Sequence, residues 1–187
     1  MLGLLQLILR FTIEVGFGLF STLILLRFFL QCVKANFYHP LIQALVKVTN
    51  PILMPIRRIT PTFSRYDWSC FVLLLIMGII KYALFIALSI ITSYKPLIVL
   101  GFILLDIASG ILYLYLFLFI IQAITSWLGS SPQMGMVLAL LHQLTAPVLK
   151  RVRPRVVYAN IDFRPMIAMF LIFLGLSILS YFRYQLI

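Results

Sequence analysis

The chain has 187 residues, of which 64% are hydrophobic and only 10% are charged. A soluble domain needs about 25% charged residues to cover its surface, so this composition excludes a soluble helical bundle and indicates an integral membrane protein. The formal net charge is +11. Because the cations cluster between apolar segments, membrane topology explains most of this excess better than nucleic-acid binding does.

Four apolar segments are long enough to cross a hydrocarbon core of about 30 Å, which takes about 20 helical residues. We therefore predict an all-α membrane protein with four transmembrane helices. The first lies within Leu2–Val33, the second at Trp68–Tyr94, the third within Leu97–Leu128 and the fourth at Pro165–Tyr184. The first and third segments exceed one crossing, so we expect tilted helices or protruding ends.

Two basic, proline-containing segments connect the first span to the second and the third span to the fourth. We call them the first and second cassettes: residues 34–67 and 129–164. The second repeats the first in its prolines, arginines and aspartates: Pro51 and Pro147, Arg57 and Arg153, Asp67 and Asp162. The chain thus divides into two repeats, residues 1–94 and 95–187. Because each repeat holds two spans, we expect both repeats to have the same orientation in the membrane.

Each cassette contains a short amphipathic segment that is too short to span and too apolar to leave the bilayer. In the first cassette Pro40 can open a short helix, and the second copy covers residues 134–145. We predict that both segments lie at the membrane interface or dip into the membrane as re-entrant segments. Pro51, Pro55 and Pro61 each remove a backbone donor, so we expect them to stop the first segment from continuing as a helix.

Lysines and arginines outside the spans are unevenly distributed. The cassette-bearing connections carry ten of them: Lys34, Lys47, Arg57, Arg58, Arg65, Lys150, Arg151, Arg153, Arg155 and Arg164. The middle connection and the termini offer only Lys95, Arg10 and Arg183. Because positive charge is retained on the cytoplasmic side, we predict a multi-pass protein of the bacterial inner membrane with cytoplasmic cassettes and both termini outside.

The cassette cations are expected at headgroup depth, where each contributes about 1 kcal/mol of attraction to an anionic leaflet. The candidates for contact with anionic lipid or a partner protein are Arg57, Arg58, Lys150, Arg151, Arg153 and Arg155. The alternative is that they are topology signals without a specific ligand. Asp67 and Asp162 precede predicted helix starts and are predicted to cap them, the alternative being ion pairs with cassette arginines.

Charged residues inside the spans form a separate group: Glu14, Lys81 and Asp106, with Arg27 near enough to the cytoplasmic end to extend towards water. A charge at the bilayer centre costs at least about 2.5–3.5 kcal/mol, so we predict that Lys81 pairs with Asp106 across the second and third spans. Glu14 lies four residues after Arg10. This group is either a structural pair or oligomer contact, or an ion or proton pathway.

The residue patterns do not favour an enzyme. His39 and His142 fall at non-matching positions of the two repeats, and neither belongs to a cluster with metal-ligand or nucleophile spacing. A bis-histidine haem site is the remaining alternative. Cys32 and Cys70 form no disulfide framework or metal pattern. We therefore predict a non-enzymatic protein that has no cofactor or metal and does not bind nucleic acid.

The first cassette contains NPILMPIRRITP followed by Asp67-Trp68-Ser69, which resembles the signature of the YggT (YlmG) family of small membrane proteins from bacteria and plastids. PVLKRVRP and NIDFRPM in the second cassette resemble the same signature, so the resemblance covers nearly the whole chain as two tandem copies. The second copy departs from the usual pattern at three positions: Arg151, Pro154 and Arg164.

This resemblance implies no established catalytic activity and a link to envelope or organelle-membrane biogenesis, assembly of membrane complexes and osmotic or ion homeostasis. We therefore expect a scaffold or assembly factor that contacts anionic lipids and membrane-protein partners or forms a homo-oligomer. The alternative is a small oligomeric transporter or channel component for ions.

Overall fold

The computed structural model describes residues 2–35, 40–60, 67–88, 90, 95–127, 132–152, 157–158, 161–162 and 164–186. These residues form six helices and a pair of two-residue antiparallel strands, in the order α1 Leu2–Cys32, α2 Pro40–Ile59, α3 Trp68–Ala87, α4 Pro96–Trp127, α5 Pro132–Leu149, β1 Val157–Tyr158, β2 Ile161–Asp162 and α6 Arg164–Gln185.

Four of these helices, α1, α3, α4 and α6, are long and apolar enough to cross a membrane. The prediction of an all-α membrane protein with four spans is therefore confirmed. We call the end of the bundle where α1 and α4 end and α3 and α6 begin the cassette end. Large apolar side chains are exposed along the spans, among them Leu7, Ile79, Phe117 and Phe170, and such a surface is suited to contact with lipid chains.

The expectation that prolines stop the first amphipathic segment is wrong. α2 continues through Pro51 and Pro55 to Ile59, and α5 likewise continues past Pro147. All three prolines are exposed, so the carbonyl groups that lose a hydrogen-bond donor lie on the open side of the helix, where water can satisfy them. Pro61 lies outside the described residues.

α2 packs against α1 and α3, and α5 packs against α4 and α6, so each repeat has its own short helix beside its two spans. The largest cluster of buried apolar side chains joins the two repeats and includes Ile24, Leu30, Leu53, Leu114 and Leu144. Its members come from α1, α2, α4 and α5 as well as α3. The short helices are therefore part of the folded core as well as of its surface.

α3 and α4 approach each other closely at Gly78. A Cβ atom at Gly78 would lie 2.6 Å from Cγ2 of Ile103, so any other residue there requires the Ile103 side chain to shift. Tyr82 and Phe102 stack nearby with ring centroids 5.9 Å apart. This close packing brings the charged residues of the two helices within reach of each other.

Candidate functional site

Asp106 of α4 is the centre of a charged cluster at the end of the bundle opposite the cassettes. Lys81 Nζ of α3 lies 2.5 Å from Asp106 Oδ2, and Arg183 Nη2 of α6 lies 2.9 Å from Oδ1. The hydroxyl of Tyr82 donates a hydrogen bond of 3.1 Å to Oδ2 and accepts one of 3.3 Å from Arg183. One carboxylate thus connects α3, α4 and α6, and each of its oxygens faces a cation.

A cavity of about 320 Å³ borders this cluster. Its lining includes Glu14 and Gly18 of α1 together with Lys81, Asp106 and Arg183. Glu14 Oε1 lies 3.1 Å from Arg10 Nε one turn away on the same helix. The three charged residues predicted inside the spans therefore line one cavity, although Glu14 pairs with Arg10 and not with Lys81.

The pair of Lys81 and Asp106 is present as the sequence predicts, whereas the role of Arg183 was missed. The distribution of cations places Arg183 with the C-terminal end of the chain, but in the structure it lies inside α6 and binds Asp106. The predicted fourth span already contained Arg183, so the rule that charges inside spans need partners could have identified it.

A separate ion pair connects α2 to the start of α3 at the cassette end. Nε of Arg57 donates a hydrogen bond of 2.9 Å to Asp67 Oδ2, and Nη2 of Arg57 contacts the same oxygen. Asp67 is only 2% exposed. Close by, the hydroxyls of Thr60 and Ser69 lie 2.7 Å apart.

This arrangement corrects the predicted role of Asp67. The residue stands at the N-cap position of α3, but its side chain makes no capping hydrogen bond. The ion pair with Arg57 uses only Oδ2, and Oδ1 is buried without a hydrogen-bond partner among the described residues. Asp162 lies in β2, two residues before α6 begins, and its side chain lies outside the described residues.

Five further cassette cations are exposed: Lys34, Lys47, Arg58, Lys150 and Arg151. Arg164 is half-buried, like Arg57. Within the part of the chain that the structure describes, none of the five exposed cations forms an ion pair with a carboxylate. Arg65, Arg153 and Arg155 lie outside the described residues. The structure thus separates Arg57, which stabilises the fold, from cations that are available for a ligand.

Arg27 does not extend towards the cytoplasm as expected. It is buried, and it donates hydrogen bonds of 2.5 Å to Oγ1 of Thr49 and 2.8 Å to Oδ1 of Asn50 on α2. The second repeat has the same joint, in which Thr145 of α5 donates a hydrogen bond of 3.0 Å to Oε1 of Gln122 on α4. We call this contact between a span and a short helix the threonine joint.

The histidine positions give no metal site in the described ranges, where no group of three His, Cys, Asp or Glu side chains could hold an ion. Nδ1 of His142 lies 3.2 Å from Nε2 of Gln122, so this ring extends the second threonine joint. His39 lies outside the described residues. The described residues therefore do not supply the two histidine ligands of a bis-histidine haem site.

Comparison with known proteins agrees with this architecture. The model of the CCB3/YggT family matches residues 6–88 and again residues 101–182. The protein YggT of Escherichia coli K12 is 32% identical over 168 residues, which cover 88% of this chain and 85% of the relative. A protein of Haemophilus influenzae is 31% identical over 153 residues, which cover 81% of this chain and 80% of the relative.

Both relatives are described as uncharacterized proteins. No solved structure matches the chain. The family match falls once in each half of the chain, and the structure gives each half two spans and one short helix. The chain is therefore a multi-pass membrane protein that belongs to the CCB3/YggT family.

Proposed function

We propose that the chain is a non-enzymatic scaffold or assembly factor of the bacterial inner membrane, whose basic cassettes contact anionic lipid headgroups and membrane-protein partners. The observation that carries this proposal is a set of cations at the cassette end that are exposed and form no ion pair with a carboxylate of the described residues. When four helices cross in turn, the connection from α1 to α3 and the connection from α4 to α6 must lie on one side. Cations from both repeats therefore face the same leaflet.

Neutralising this basic face is expected to weaken binding of anionic lipid. The variant carries four substitutions: Lys47→Gln, Arg58→Gln, Lys150→Gln and Arg151→Gln. Each cation contributes about 1 kcal/mol near an anionic leaflet, so together they contribute a maximum of about 4 kcal/mol. The measurement is the amount of phosphatidylglycerol, relative to phosphatidylethanolamine, and of partner proteins that remain bound during affinity isolation in mild detergent.

The matched control keeps the charge by replacing Arg58 and Arg151 with lysine, and it should retain lipid as the natural chain does. Arg57 is left unchanged because it binds the buried carboxylate of Asp67. If the fourfold variant retains the same phosphatidylglycerol and the same proteins, the exposed cations are topology signals only and the proposal is wrong.

The same proposal places the cassettes in the cytoplasm and both termini outside. Single cysteines introduced at Arg58 and at Lys95, both exposed, test this in a variant that carries Cys32→Ala. Cys70 can stay because it is fully buried. A membrane-impermeant maleimide should label position 95 on intact cells and position 58 only after lysis. The reverse labelling pattern would overturn the orientation.

A second candidate function is ion transport, and the cavity beside Asp106 favours it. Polar and charged side chains of α1, α3, α4 and α6 line a space that lies between spans. Intramembrane ionisable residues that line a cavity are the usual components of ion and proton pathways. An oligomer of this chain would be needed to extend the cavity across the membrane.

Filling the cavity is expected to abolish proton flux if this second function holds. Gly18 lines the cavity, and a Cβ atom there meets no atom within 4 Å, so Gly18→Leu adds a side chain to open space. Gly16→Leu is the matched control, because Gly16 is equally open but does not line this cavity. The measurement is the rate of acidification inside vesicles with an internal pH dye. Flux through the natural chain no faster than in empty vesicles would exclude transport of protons.

A further inference from the structure

A groove of about 760 Å³ lies between α1, α2 and α3 on the lipid-facing side of the first repeat. Its walls include Gly16 and Phe20 of α1 with Leu73 and Ile80 of α3, and Ile52 and Pro55 of α2 line it as well. Apart from Thr12, every lining residue is apolar. The groove therefore suits a ligand segment without hydrogen-bonding groups.

We propose that this groove binds an acyl chain of an anionic phospholipid, whose phosphate is held by Arg58. The inference rests on the proposed contact between the cassettes and anionic lipid, and it assigns that contact to one molecule at one place. The lipid chain would run from the cassette end into the hydrocarbon core, between α1 and α3.

The position of Arg58 supplies the charge complementarity. Arg58 follows Pro55 by three residues on α2, so the two side chains share a face of the helix. Pro55 lines the groove and Arg58 is exposed. No carboxylate among the described residues pairs with Arg58, whereas its neighbour Arg57 is bound to Asp67. The guanidinium of Arg58 could therefore bind a phosphate at the cassette end of the groove.

The length of the groove favours a lipid chain over a partner helix. From Thr12 to Phe20 it follows α1 for about 12 Å, at a rise of about 1.5 Å per residue. A partner helix that crosses the hydrocarbon core needs about 30 Å of open surface, which is more than twice the length over which this groove follows α1. An acyl chain is thin and flexible enough to occupy a groove of this length.

Gly16 provides the sharpest test. A Cβ atom at Gly16 meets no atom within 4 Å, so Gly16→Leu places a side chain in the groove without a clash at its first atom. Gly18→Leu is the matched control on the same helix, because Gly18 is equally open but lines the charged cavity. The whole chain is purified in detergent, titrated with phosphatidylglycerol or phosphatidylethanolamine, and examined by native mass spectrometry.

We expect one phosphatidylglycerol molecule to bind the natural chain and the Gly18→Leu variant more tightly than any further lipid. Gly16→Leu should weaken this first binding step several-fold. Arg58→Gln should weaken it about fivefold for phosphatidylglycerol, with little change for phosphatidylethanolamine. Lys95→Gln removes one exposed charge from the opposite end of the bundle and should leave the first binding step unchanged.

Unchanged binding in Gly16→Leu overturns the groove assignment. If the fourfold cassette variant still loses anionic lipid in that case, the proposed basic face stands and only the groove is wrong. If neither variant loses lipid, both proposals fail. A dimer of the natural chain that Gly16→Leu converts to a monomer would assign the groove to a second copy and also overturn the lipid site.

Discussion

Asp106→Leu is expected to lower the free energy of unfolding by about 3 kcal/mol, towards the lower end of the range for a broken buried ion pair, because the carboxylate borders a cavity. The substitution leaves Lys81 and Arg183 close together without the carboxylate that they share. Lys81→Met should cost clearly less, since Arg183 and Tyr82 still bind Asp106.

The measurement is unfolding in mixed micelles of mild and denaturing detergent, with the single variants, the double variant and the natural chain. The double variant Lys81→Met/Asp106→Leu should recover part of the loss, since only one cation then lacks its carboxylate. Strictly additive losses, or a Lys81→Met variant that is as unstable as Asp106→Leu, would contradict a shared carboxylate.

Arg57→Gln is expected to be the other strongly destabilising change, with a loss of about 3–5 kcal/mol. It would leave the carboxylate of Asp67 buried without a cation at the junction of α2 and α3. Arg58→Gln is the matched control, because this neighbouring arginine is exposed and surface substitutions of this kind stay within about 0.5 kcal/mol.

Thermal unfolding in detergent compares the two variants at equal protein concentration. The lower stability of Arg57→Gln should be accompanied by increased protease cleavage near residues 60–68, which Arg58→Gln should not show. Equal stability of the two variants would show that the contact between Arg57 and Asp67 does not hold the two helices together.

The sequence was sufficient for the four spans, since apolar length alone determines which helices can cross a bilayer. It also predicted the pair of Lys81 and Asp106, because the short connection between α3 and α4 makes these helices neighbours. The contact of Arg183 with Asp106 could not be predicted by the same reasoning. Its contact depends on how α6 packs against α4, and chain order alone does not determine that packing.

The role of Asp67 shows a similar limit. A carboxylate before a helix fits both a cap and an ion pair, and local spacing does not decide between them. The outcome depends on α2, whose continuation through Pro51 and Pro55 carries Arg57 to the start of α3. Proline rules describe isolated helices well, but α2 continues because its packing against α1 and α3 outweighs the cost of its prolines.

The threonine joint differs between the repeats in a coordinated way. Arg27 has Thr49 and Asn50 as partners, whereas the second copy has Gln122 beside Thr145, and Ala146 occupies the place of Asn50. If α1 took the place of α4 beside α5, Arg27 would face Ala146 where it now binds the amide of Asn50. Each span is therefore matched to the short helix of its own repeat, so a chimera of two relatives should exchange whole halves of the chain.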